Sequence, residues 1–166
     1  MTREDAYYER IKLLCGYWDS YDEWLDSYLE SEDPLSDIVL QLIDCQSNMK
    51  EVEYCLNLYC REKPFDEESV YKRLQTELGK LYGENAITTD HLLSALFRIS
   101  QVIPFCRFSN DCSTLSDYYV LVEEGLVDIK KFTAVLEKWL KDGDAINTDE
   151  MWKKVINPLK RKNKNA

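Results

Sequence analysis

Only five glycines and four prolines punctuate this chain of 166 residues. That scarcity limits the fold more than any other feature. Sandwiches and barrels need closely spaced turns, and turns draw on Gly and Pro, whereas long helices need few breaks. Hydrophobic residues make up 45% of the chain, enough for a core and too many for intrinsic disorder. At this length one domain is expected, burying roughly two thirds of its unfolded surface.

Helical periodicity fills the stretches between the breaks. In the first, Tyr7, Ile11, Leu14 and Trp18 share a face. Gly16 interrupts it, predicting two helices or one bent one, since Gly costs about 1 kcal/mol against Ala in a helix interior. Asp33-Pro34 reads as an N-cap with Pro at the first helical position, followed by Leu35, Ile38, Val39, Leu42 and Ile43. Ser47-Asn48 opens a helix with the stripe Met49, Val52, Leu56, Tyr59 and Cys60. Asp66 caps the next, which turns Val70, Leu74, Leu78 and Leu81 inward and has Gly83 at C′.

Thr88 or Thr89 starts the helix with the widest apolar arc: Leu92, Leu93, Ala95, Leu96, Ile99, Val102 and Ile103. It is expected to be the most buried. Residues 104–114, PFCRFSNDCST, show no period and read as a loop, with a short helix over 116–124. Asp128 caps a helix bearing Ile129, Phe132, Leu136, Trp139 and Leu140, which Gly143 ends. Asn147 or Thr148 caps a last helix with Met151, Trp152, Val155, Ile156 and Leu159. The expected fold is all-α, an irregular helical bundle of seven to nine helices. A single domain covers 1–159, with a basic tail over 160–166. The alternative is a short α-solenoid of helical hairpins, but the pairs 33–62 and 66–103 do not align residue by residue.

Charge is unevenly spread. Residues 1–69 carry 18 acidic and 6 basic side chains, and residues 70–166 carry 13 and 15. An acidic half disfavours nucleic acid, whose phosphates need Lys and Arg, and is repelled by anionic membranes. It suits a basic protein partner. No apolar leader or membrane-length run is visible, so a cytoplasmic protein with six reduced cysteines is expected.

The acidity peaks in residues 17–33, YWDSYDEWLDSYLESED. Trp18, Tyr21, Leu25, Tyr28 and Leu29 form one stripe, and Asp19, Asp22, Glu23, Asp26 and Glu30 line the other side. Like charges at i,i+4 repel by a few tenths of a kcal/mol, so such a helix faces water or a cationic partner. The expected partner-binding residues are Asp19, Asp22, Glu23, Trp24, Asp26 and Glu30. Trp24 falls off the stripe among the carboxylates and is the natural anchor.

Catalytic patterns are lacking. None of Cys15, Cys45, Cys55, Cys60, Cys106 and Cys112 forms a CxxC pair, and His91 is the single histidine. Cys106 and Cys112 are the two thiols that a loop could bring together. No cofactor or metal is expected. Asp22 and Asp26 with Asp44, Glu51 or Glu53 are the only set that suggests a metal-dependent hydrolase.

In composition and layout, the stretch YWDSYDEWLDSYLESED and the acidic half around it resemble bacterial immunity proteins of toxin–immunity systems. The resemblance covers residues up to about 70 and carries over no family residue. It implies a small acidic protein that covers a cationic toxin. The leading expectation is a non-enzymatic protein-binding module. The alternatives are a scaffold or adaptor subunit that oligomerises through the arc of 92–103, and the hydrolase.

Overall fold

The computed structural model describes residues 1–17, 19–45, 48–143 and 146–147. Among these it holds eight helices and no strand, so the protein is an all-α helical bundle. The helices are α1 (Arg3–Leu14), α2 (Tyr21–Ser31), α3 (Asp37–Asp44), α4 (Met49–Arg61), α5 (Glu67–Gly83), α6 (Thr89–Val102), α7 (Arg107–Glu123) and α8 (Ile129–Asp142). The expected helix over 148–159 and the tail 160–166 lie outside the described residues. Where one domain was expected over 1–159, the chain divides within α5 into two compact units, Met1–Leu74 and Gln75–Ala166.

The first unit is built on α1, which packs along α4; α3 packs on α4, and α2 on α3. The Thr2 hydroxyl caps α1 by accepting from the Asp5 amide. The helix then buries Ala6, Tyr7, Tyr8, Glu9, Ile11 and Leu13, a wider arc than the predicted stripe, while Leu14 is exposed. Tyr7 meets Phe65 edge-on at 5.1 Å, and Arg73 lies 3.9 Å over the Tyr8 ring. Gly16, at φ 85°, separates α1 from α2. The start predicted for α3 is corrected. The Asp33–Pro34 bond is cis, and the helix begins at Asp37 with Ser36 at its N-cap. Glu32 holds that turn instead, its carboxylate accepting from the Ser36 amide (3.1 Å) and hydroxyl (2.8 Å) and pairing with the Met1 amino group.

From α5 onward the chain contains a repeat that residue matching did not detect. The 17-residue α5 and 14-residue α6 recur as the 17-residue α7 and 14-residue α8, each boundary 40 residues later. The two connecting loops share a hydrogen-bond pattern. Ala86 and Ile87 donate to Leu81 O, and Leu126 and Val127 donate to Leu121 O. The left-handed position is Asn85 in one and Gly125 in the other, so Gly83 ends α5 as a helical residue rather than at C′. Thr88 and Asp128 then cap α6 and α8. Few side chains coincide, because the loop demands only a residue tolerant of positive φ, an inward aliphatic and a capping oxygen.

The predicted loop over 104–114 is also corrected, since α7 starts at Arg107. The Cys106 amide donates to Ser109 Oγ at 3.1 Å, closing the first turn. The inward face runs Phe108, Asp111, Cys112, Leu115 and Tyr118. A buried carboxylate in that series breaks the apolar period. Asp111 accepts from Trp139 Nε1 at 3.2 Å and the Ile146 amide at 3.3 Å, which makes its burial tolerable.

Candidate protein-binding surface

α2 is set by its two ends and one buried ring. Ser20 occupies the N-cap position, but its hydroxyl accepts from Lys12 Nζ at 2.8 Å and does not cap. That bond ties the start of α2 to α1. Tyr21, 2% exposed, is the one buried residue of the helix. Burial pushes its hydroxyl well above the ordinary tyrosine range, reinforced by the nearby Cys45, Asp22, Glu9 and Cys55. The hydroxyl has no hydrogen-bond partner among the described residues. Further along, Tyr28 hydrogen-bonds Asp5, and it too is raised, by burial first and then by that bond.

Trp24 lies 5.7 Å from the Tyr21 ring and 5.4 Å from the Tyr28 ring. This corrects its expected place among the carboxylates. It is half-buried in an aromatic row on the inner side, since positions i, i+3 and i+7 share a face. Trp18 lies outside the described residues. Leu29, assigned to the buried stripe, is 39% exposed. It stands i+3 from Asp26, at the border between the two faces. Its place at that border was the available signal.

The acidic side is laid out as expected. Asp19, Asp22, Glu23, Asp26 and Glu30 are all exposed. Asp22, Asp26 and Glu30 follow i, i+4 and i+8, one row along the helix. Among the described residues none of the five enters an ion pair. Four of the eight cations of the same unit are engaged elsewhere: Arg3 with Glu62 (3.1 Å), Arg10 with Glu53 (2.8 Å), Lys12 with Glu9 (3.1 Å) and Arg73 with Asp5 (2.7 Å). By composition Met1–Leu74 carries 18 acidic and 8 basic side chains, so the entire net charge of −10 falls in this unit.

Other candidate sites are weaker. Glu53 is paired with Arg10, and no group of three or more His, Cys, Asp or Glu side chains among the described residues converges as a metal site. The α6 arc is spent internally. Leu92, Leu93, Ala95, Leu96 and Ile99 are buried in a helix that packs on α7, leaving Phe97 exposed. Cys106 caps α7 while Cys112 is fully buried a turn and a half further along it, so the helix holds these two thiols apart. An open cleft of about 850 Å³ in the second unit is lined by Thr76, Tyr82, Thr88, Thr89, Glu137 and Lys141 among others. No helix among the described residues is long and apolar enough to cross a membrane. Compared with known proteins, the chain matches no family model, no curated protein and no solved structure.

Proposed function

We propose that the protein is a non-enzymatic binding module whose α2 surface receives a basic protein. One observation carries this reading. Four carboxylates of the unit, Asp5, Glu9, Glu53 and Glu62, meet its own Arg and Lys, whereas Asp22, Glu23, Asp26 and Glu30 stand together on one helix, exposed and with no ion-pair partner among the described residues. Such a surface steers a cationic partner and is screened by salt over a Debye length of about 8 Å at physiological ionic strength. Leu29 adds exposed apolar area beside the row, and the half-buried Trp24 stiffens the helix from behind. The resemblance to immunity proteins makes a cationic toxin the expected partner.

The test is affinity capture from the source cell, followed by titration of the purified partner at rising salt. The expected partner is basic, binds more weakly as salt rises, and is lost when Asp22→Lys, Asp26→Lys and Glu30→Lys are combined. Unchanged affinity in that triple variant removes the surface assignment.

A further inference from the structure

The Cys45 and Cys55 sulfurs lie 3.7 Å apart, one at the C-cap of α3 and the other facing it from the second turn of α4. We infer that these two thiols are a modification site, closing to an intrachain disulfide when a low-molecular-weight disulfide oxidises them. A disulfide bond needs about 2.05 Å, a closure within reach of side-chain rotation when the sulfurs already touch. The packing of α3 on α4 keeps them face to face.

Exposure sets the order of events. Cys45 is 6% exposed, donates to Gln41 O at 3.2 Å and shares its second contact with Cys55. Burial, then the Cys55 contact, pushes its thiol up to about 11, so Cys45 stays protonated at neutral pH. Cys55 is half-buried and is the one that small molecules reach. Its thiolate attacks a glutathione disulfide, forming a mixed disulfide and releasing one glutathione thiolate. Cys45 then loses its proton and attacks the Cys55 sulfur, expelling the second glutathione. The protein loses two protons and two electrons, and one glutathione disulfide takes them up to become two thiols. The remaining cysteines lack this geometry or access: Cys60 is buried and also pushed up to about 11 by burial, and Cys106 stands at the start of α7. The closed bond would staple the α3–α4 hairpin close to Tyr21, which has both thiols as electrostatic neighbours.

The test uses the full chain, reduced and then incubated with oxidised glutathione, alkylated and digested with trypsin. Cleavage after Lys50 falls between the two cysteines, so a crosslink joins two peptides, and fragment ions separate Cys45 from Cys15 and Cys55 from Cys60. The expected result is a Cys45–Cys55 crosslink, reversed by dithiothreitol, with a thermal midpoint several degrees above the reduced protein. Cys55→Ala, at the more accessible position, is expected to abolish the crosslink without leaving an adduct on Cys45. The inference is overturned if Cys55 accumulates as a stable glutathione adduct in the native chain. It is equally overturned if both thiols remain open to alkylation while Cys106 is modified.

Discussion

Helices α1 and α2 are neighbours in the chain and both are acidic, but their carboxylates are used in opposite ways. On α1, Asp5 meets Arg73 at 2.7 Å and the fully buried Glu9 meets Lys12 at 3.1 Å. On α2, Asp22, Glu23, Asp26 and Glu30 are exposed and have no ion-pair partner among the described residues. Carboxylate density therefore does not mark an interaction surface. What distinguishes α2 is that none of these four carboxylates meets a counter-charge among the described residues, whereas Asp5 and Glu9 on α1 each do. The cost is weak anchorage: α1 buries six residues and α2 buries one.

That single anchor gives the largest expected effect. Tyr21→Ala removes a 2% exposed ring from beneath α2 and should cost about 3 kcal/mol by chemical denaturation, as large-to-small core changes do. Tyr21→Phe should be neutral or slightly stabilising, because the hydroxyl it removes is buried without a partner among the described residues. A Tyr21→Ala variant as stable as the native chain would mean that α2 is held by something other than this ring.

Next come the two α1 carboxylates, whose pH dependences should have opposite signs. Burial raises Glu9 despite the Lys12 pair. Its contribution is therefore fully present below the ordinary value of 4.5 and is lost as pH rises through the raised one. Glu9→Gln should accordingly gain on the native chain as pH climbs from 4 towards neutrality. Asp5 is also pushed up by burial, but hydrogen bonds from Thr2, Arg73 and Tyr28 outweigh that and leave it lowered. Its contribution is present above 3.8 and disappears as pH falls through the lowered value. Asp5→Asn should cost about 1 kcal/mol at neutral pH, a modest figure because the group is partly solvated, and the cost should shrink in acid. Denaturation at a series of pH values separates the two. Parallel curves for both variants would remove the contrast.

The difference between α1 and α2 was half legible in the sequence. The exposed row of carboxylates on α2 followed directly from helical spacing. The inward turn of Trp24 was not legible, because the stripe ran from Tyr21 through Leu25 and Tyr28 to Leu29, and extending it to Trp24 instead, at i+3 from Tyr21 and i−4 from Tyr28, fits the helical period equally well. α1 was under-read for a related reason: its buried arc includes Glu9, a residue type that pattern counting places outside. Asp111 hid the first turns of α7 in the same way. In each case a buried carboxylate is made tolerable by a partner distant in sequence or by a lysine one turn away, and single-residue hydrophobicity cannot see either. The 40-residue recurrence of α5–α6 in α7–α8 was missed because the loop conserves conformation, Asn85 against Gly125, more than residue identity.

The smallest expected effect on stability belongs to the acidic row itself, and it sharpens the comparison most. Combining Asp22→Lys, Asp26→Lys and Glu30→Lys leaves three like charges at i,i+4, so the repulsion within the row is unchanged. A lysine in the first turn of α2 opposes the helix dipole, and one in the last turn, where no basic residue now stands, agrees with it. The two contributions largely cancel, and the folded protein should shift by less than about 0.5 kcal/mol, as exposed substitutions away from special features do. A loss well above 1 kcal/mol would mean that these carboxylates are bound into the fold as Asp5 is. A stable triple variant that no longer holds its basic partner would instead separate the two helices as the comparison requires, with α1 spending its charge inside the unit and α2 presenting its charge to another molecule.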